Sequence, residues 1–371
     1  MIKNSFITIL TFSLLLNCNT NPMTSVILKN ETAEFEMTLE GSAFTKFRLT
    51  DNPINPLDWR LPKKRLPDTN IGSFLFQGHF LCLGTWGMPT DGEKKAGLKF
   101  YGEGNTEVWK ITKPLHNTDT SQSITTVMQG PIERLDVTRT LNLYNHSSVV
   151  EVTEEVTNNL PIGRPYNILQ HATMGGRFIN QKTILNTNAG KGFYQNAEYK
   201  RSTYTDIEET SYEWPNALVP DGEIDLTLSN QVQKSFVSTH IFPENETHGW
   251  ATLTNVEAGL LIGYIWDKKD YPWLNVWHQY EEGKVKGRAI EFATCGMWQP
   301  FEYMMSNDSR FFGQNSFEFI DAGETKHKTY FMFLLPIDSN FTAVENIKMN
   351  TNSIDITINN EGKTKTQALT F

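Results

Sequence analysis

The chain has 371 residues and a formal net charge of −9, from 33 Lys and Arg against 42 Asp and Glu. That length suits one large all-β domain or two ordinary ones, with room for a sizeable core. The acidic balance offers no electrostatic footprint for nucleic acid or anionic lipid headgroups, which excludes nucleic acid as an expected partner. Aromatics make up 12% of the residues and include nine Trp, a supply that fills β cores and also suits stacking on sugar faces.

The chain begins Met1-Ile-Lys3 and runs through a largely apolar stretch from Phe6 to Leu16 into Asn17-Cys18. This stretch is too short for a comfortable membrane span and reads as an export signal over residues 1–18. Leu15-Leu16-Asn17-Cys18 resembles a bacterial lipobox, whose cysteine is lipidated after cleavage; Asn17 stands where Gly, Ala or Ser is usual. The expectation is an exported bacterial lipoprotein, periplasmic or at the cell surface, that meets the membrane only through Cys18, with simple secretion as the alternative. Residues 19–24 then form a tether, and residues 25–371 a single domain.

Past the leader, short alternating runs are broken by Gly, Asn, Asp or Pro. The runs 26–28, 35–39, 44–49, 124–128, 135–143, 149–156, 249–254, 259–266, 330–335 and 354–358 all read as strands. Residues 190–223, rich in Tyr, Asn and Glu, read as long loops over the site or as an ordinary surface excursion. One short helix is expected over 338–347, where Asp338 or Ser339 can cap and Phe341, Val344 and Ile347 share a face. Many antiparallel strands in one chain imply two large sheets packed face to face. Cys82 and Cys295 lie in apolar runs and read as buried free thiols, with a disulfide as the alternative. There is no CxxC and no zinc-type spacing.

Two segments set a proton-transfer group among small and apolar residues. Asn167-Ile-Leu-Gln170-His171-Ala-Thr-Met-Gly-Gly176 supplies an imidazole, and Gly287-Arg288-Ala-Ile-Glu291-Phe-Ala-Thr294 supplies a carboxylate. In the second, strand alternation puts Ala289, Glu291 and Ala293 on one face, where small neighbours leave room for a ligand. In the run from Asp267 to Tyr280, Trp273, Asn275, Trp277 and Gln279 share a face and combine stacking rings with amides for hydroxyls. One of the two Trp is expected to touch ligand, with a place in the core for one or both as the alternative. Arg60, Arg177 and Arg288 are candidates for binding a carboxylate or sulfate, with surface placement as the default for each.

Both motifs resemble the aldose 1-epimerase (galactose mutarotase-like) family. The resemblance implies a β-supersandwich of two large, mainly antiparallel sheets. It also implies His171 as the acid that protonates the sugar ring oxygen and Glu291 as the base for the anomeric hydroxyl, so that the ring opens and recloses on either face. The two groups are then expected to face each other across an open cleft, about a pyranose apart. Gln170 and Arg288 enter as substrate-binding candidates beside these two.

A third match runs from Gly78-His79 through Trp86-Gly87 to Gly97-Leu-Lys-Phe-Tyr101-Gly102. The family commonly carries a His-Gly pair there; Tyr101 takes the place of that histidine and can donate a hydrogen bond but cannot become a cation near neutral pH. His79 is a candidate to compensate, with a structural role beside the turn as the alternative. The implied partner is a carbohydrate, as free sugar or oligosaccharide end, bound by a monomer without metal or cofactor because the chemistry is proton transfer alone. The alternatives are a non-catalytic carbohydrate-binding lipoprotein and another carbohydrate-active enzyme such as a polysaccharide lyase. A lyase needs a cation beside the uronate carboxylate, and no convincing cluster supplies one.

The lipobox reading has a direct outcome: mass spectrometry of the exported protein finds Cys18 as the mature N-terminus and carrying lipid. A mature chain that starts beyond Cys18, or an unmodified Cys18, overturns it.

Overall fold

The computed structural model describes residues 25–70, 72–195, 210–219, 222–230, 233–307 and 310–371. Residues 1–24, on which the expected export signal, Cys18 and the expected tether fall, lie outside the described residues. Two large antiparallel sheets dominate. The larger runs in the spatial order Ser25–Lys29, Ala33–Thr38, Phe44–Leu49, His79–Gly84, Arg164–Met174, Lys284–Ala293, Trp273–Glu281, Phe236–Ile241, Lys191–Gln195 and Tyr212–Glu213. The short strand Glu318–Ile320 pairs with the start of Arg164–Met174 off this path. The second sheet has eight strands, ordered Ile184–Thr187, His248–Asn255, Leu260–Asp267, Thr325–Pro336, Val149–Asn158, Leu135–Tyr144, Ser121–Met128 and Lys110–Asn117.

Alternate residues of the two sheets meet in a shared core, to which Leu81, Ile168, Ile290 and Phe292 come from the larger sheet and Val152, Ile262, Tyr264 and Tyr330 from the smaller. The opposite face of the larger sheet is buried as well, beneath a second cluster that includes Trp59, Phe76, Phe80, Trp86, Phe100 and Trp273. Its middle strands are therefore enclosed on both sides: every residue from Tyr166 to Met174 is buried. That is why these strands bury polar residues such as Asn167, Gln170 and His171 instead of showing a clean alternation of apolar and polar.

All ten expected strand runs fall on observed strands. The expected helix over 338–347 does not form: Phe341–Met349 is the first strand of a meander with Ser353–Asn360 and Lys363–Thr370. Its register shifts between Phe341 and Ala343 and again between Val344 and Asn346. Each bulge inserts one residue, so apolar side chains three apart stay on one face of a strand and imitate helical spacing. Phe341, Val344 and Ile347 pack with Leu261, Ile265 and Phe333 on the outer face of the eight-stranded sheet.

Residues 190–223 also depart from the loop expectation where they are described. Lys191–Gln195 extends the larger sheet, and Asn216–Val219 pairs with Gly222–Asp225 as a hairpin. Residues 196–209 and 220–221 lie outside the described residues. Two short α-helices among the described residues went unforeseen, Asp91–Ala96 and Phe301–Ser306. The first carries a capping box between Thr90 and Glu93 that is legible in the sequence.

A polar network bolts the two sheets together inside the shared core. Arg139 and Glu154, on neighbouring strands of the smaller sheet, form an ion pair at 2.6 Å with side chains 1% and 0% exposed. Arg139 Nη1 also donates to the Ser42 carbonyl at 3.0 Å. From the larger sheet, Gln170 Nε2 donates to Glu154 Oε2 at 2.7 Å and to the Tyr271 hydroxyl at 3.1 Å. Its Oε1 accepts from the Tyr330 hydroxyl at 3.2 Å and lies 3.1 Å from His79 Nε2.

Glu154→Gln leaves the Arg139 charge buried without a counter-ion and should cost about 3–5 kcal/mol in urea unfolding. The double variant Arg139→Met with Glu154→Leu should recover most of that loss, because it removes both desolvated charges. Additive losses in the double variant would contradict this account of the pair.

Candidate functional site

Register brings the two proton-transfer groups together. In the antiparallel pairing of Arg164–Met174 with Lys284–Ala293, His171 lies directly opposite Glu291, and directly opposed residues point to the same side of a sheet. The row continues on both flanks, with Phe80 opposite His171, Asn275 opposite Glu291 and Thr239 opposite Asn275. His171 Nε2 is 3.2 Å from Glu291 Oε1, with side chains 5% and 2% exposed. The expected cleft of pyranose width is absent: imidazole and carboxyl touch.

Each group has a specific seat. His171 Nδ1 is 2.9 Å from Thr173 Oγ1, two residues on and therefore on the same face. Phe80 lies under the imidazole, ring centroids 4.4 Å apart and planes 18° from parallel. Trp277 and Tyr101, both half-buried, stand over it with centroids 5.8 and 5.6 Å away. Tyr101 adopts φ +69°, uncommon for a residue with a side chain, and packs on Phe100 at 4.1 Å. Trp59 meets Trp277 edge-on at 5.6 Å.

Ala289, Glu291 and Ala293 do share the site face, but the room beside the small residues is filled with aromatic side chains. Trp273 is fully buried, its indole donating to the Asn315 carbonyl at 2.7 Å and lying against Gly296, where a Cβ would fall 2.5 Å from the ring. The two amides of that face are engaged within the protein. Asn275 Oδ1 accepts from Thr239 Oγ1 at 2.6 Å and its Nδ2 donates to the Cys295 carbonyl. Gln279 Oε1 accepts from Trp59 Nε1 at 2.7 Å.

Three substrate-binding candidates face the wrong way. His79 and Gln170 sit one residue out of phase with Phe80 and His171, so both point between the sheets into the network around Glu154. Arg288 is likewise out of phase with Glu291, and its guanidinium donates to the Leu226 and Thr227 carbonyls and to Ser229 Oγ. Arg60 and Arg177 are exposed. Cys82 and Cys295 are buried free thiols. The residues that sequence reasoning missed are Phe80, Thr173 and Trp59. Thr173 follows from alternation once the face of His171 is known, Phe80 only from the register of the neighbouring strand, and nothing in the sequence flags Trp59.

Burial dominates the electrostatics. The Glu291 carboxyl is held well above the usual carboxylate range by desolvation, and its Oε2 is buried without a hydrogen-bond partner. Desolvation also pushes the His171 imidazole down to about 3. Burial thus favours the uncharged form of both groups, an acid whose Oε1 lies against the Nε2 of a neutral imidazole. Among the described residues no group of three or more His, Cys, Asp or Glu is placed to hold a metal ion.

No protein-family model matches the sequence, and no curated protein matches it. Solved structures do match. A galactose mutarotase-like protein from Clostridium acetobutylicum superposes with a TM-score of 0.60 at 13% identity, covering 84% of this chain and 95% of its own. A protein provisionally named an aldose 1-epimerase, from Escherichia coli K12, gives 0.56 at 12% identity, covering 85% and 99%. A galactose mutarotase related enzyme from Lactobacillus acidophilus gives 0.57 at 10% identity, covering 88% and 100%. The chain has the galactose mutarotase-like fold. Within that fold His171 and Glu291 occupy two adjacent central strands of the larger sheet, with Asn275 on the next.

The neutral pair has a consequence for stability. The folded chain keeps the Glu291 proton after the unfolded chain has lost its own, so this group lowers stability increasingly as pH rises above the ordinary carboxylate value. Glu291→Gln should therefore gain thermal stability over the wild type, and gain more at pH 8 than at pH 5. A variant destabilised equally at both values would mean that an ionised pair had been lost instead.

Proposed function

We propose that His171 and Glu291 are the general acid/base pair of an aldose 1-epimerase-type isomerase that interconverts sugar anomers. The observation that carries the reading is their direct pairing, imidazole to carboxyl at 3.2 Å, on the central strands of a galactose mutarotase-like fold. Mutarotation takes a proton from the anomeric hydroxyl while giving one to the ring oxygen, then runs in reverse when the ring recloses. An uncharged pair with one mobile proton suits that cycle. Because burial favours the protonated acid and the neutral imidazole, Glu291 can serve as the donor while Nε2 of His171 accepts, the reverse of the roles that the family resemblance implies; reclosure exchanges the roles. A sugar reaches the pair by displacing the half-buried rings of Tyr101 and Trp277, and those rings then exclude water. The leader motif adds the proposal that this chemistry takes place outside the cytoplasm, on a lipid anchor at Cys18.

One observation favours a second reading, a non-catalytic carbohydrate-binding lipoprotein. The pair is sealed under aromatic rings, and Tyr101 stands where the family commonly has histidine. Anomer exchange followed by NMR across a panel of sugars separates the two. In the enzyme reading the wild type speeds exchange of at least one sugar, Glu291→Gln slows it by about 10²-fold or more, and sugar affinity changes far less. Binding without faster exchange for every sugar moves the protein to the second reading.

A further inference from the structure

Of the nine Trp, six are buried and Trp214 and Trp277 are half-buried, while Trp298 is 44% exposed. A single exposed apolar side chain is ordinary on a protein surface, so position and support decide what it means. Trp298 is the outer member of a chain of rings that ends at the site. It meets Phe100 edge-on at 6.0 Å, Phe100 packs on Tyr101 at 4.1 Å, and Tyr101 stands 5.6 Å from His171.

The ring is also held in place before any ligand arrives. Its backbone N–H donates to Gln195 Oε1 at 3.3 Å, and Gln195 Nε2 donates to the Gly296 carbonyl at 3.2 Å and to Thr239 Oγ1. Thr239 in turn donates to Asn275, which lies opposite Glu291. The pyrrole edge of the indole rests on Gly87, where φ is +103° and a Cβ would come within 2.1 Å of Nε1. Met88, 39% exposed, follows directly in the chain.

We propose that Trp298 is an outer sugar platform, and that the ligand of this site is the end of an oligosaccharide instead of a free monosaccharide. The proposal rests on the reading of His171 and Glu291 as a carbohydrate site. The apolar C–H face of a pyranose matches an exposed indole, and a ring already fixed by Gln195 and Gly87 loses little freedom on binding. Three ring-to-ring steps, none longer than 6.0 Å, separate Trp298 from the imidazole, a span that two or three linked pyranoses cover. The terminal sugar enters beneath Tyr101 while a sugar further along the chain stacks on Trp298.

The test titrates ¹⁵N-labelled Glu291→Gln protein, which binds without turnover, with glucose, maltotriose, galactose and β-1,4-galactotriose. The indole N–H signal of Trp298 is assigned from its loss in a Trp298→Phe variant. At least one trisaccharide should shift that signal and bind roughly ten-fold more tightly than its own monosaccharide. Trp298→Ala should abolish most of that preference, and Trp298→Phe, which keeps a ring, should retain much of it. An unmoved indole signal with every trisaccharide, or a preference that survives Trp298→Ala, overturns the platform. Anomer exchange by wild-type protein is scored separately. Trisaccharide binding at Trp298 without exchange removes the acid/base reading and leaves the platform, whereas exchange of monosaccharides with an unmoved indole does the reverse.

Discussion

The site depends on one constraint: from Tyr166 to Met174 and from Gly287 to Ala293 two neighbouring strands are enclosed on both faces, so each of these residues is committed to one of two interiors. The pleat alternates those commitments with a period of two. Gln170 faces the smaller sheet and His171 the aromatic cover. A slip of one residue would exchange them, setting an imidazole against the buried Arg139–Glu154 pair and an amide against Glu291. The amide of Gln170 has a partner for each N–H and two for its oxygen, a complement that only the observed register supplies. The polar network is thus read most directly as a register lock, and the pairing of His171 with Glu291 is its consequence on the far side of the strand.

Much of this was legible in the sequence, and the misses share a cause. The strands showed themselves because turn residues bound each run, and Glu291 showed itself because a carboxylate between Ala289 and Ala293 is conspicuous. Sidedness was harder. Where both faces of a strand are buried, polarity no longer marks the outside, so His79, Gln170 and Arg288 looked as available to a ligand as His171. Alternation places Gln170 once the face of His171 is known, but the phase of His79 and Arg288 is fixed only when neighbouring strands are aligned. The false helix at 338–347 has a related origin, since two bulges hide inside a three-residue apolar spacing that belongs equally to a helix. The contact between His171 and Glu291 was invisible for a plainer reason: register between segments far apart in the chain is written in no local pattern.

Energetically, the site is a place where the fold accepts unfavourable terms. A carboxyl oxygen is buried without a partner, an imidazole is held uncharged, and Tyr101 takes a left-handed backbone conformation, a strain of order 1–3 kcal/mol. Buried polar atoms without partners occur elsewhere too, His79 Nδ1 and the Tyr264 hydroxyl in the shared core among them, but this row and the turn above it bring all three terms together. Uneven satisfaction of this kind is characteristic of functional positions.

The aromatic cover and the neutral pair follow from each other. Two ionised groups enclosed by Phe80, Tyr101 and Trp277 would face a large desolvation penalty; an uncharged acid in contact with a neutral imidazole faces much less. Conversely, a neutral pair needs no water to solvate it, so the rings can close directly over it. Such a site gains nothing from a preformed wet cleft. What it requires is a ligand able to displace aromatic rings with a surface as apolar as their own, and the C–H face of a sugar, unlike its hydroxyl rim, meets that requirement.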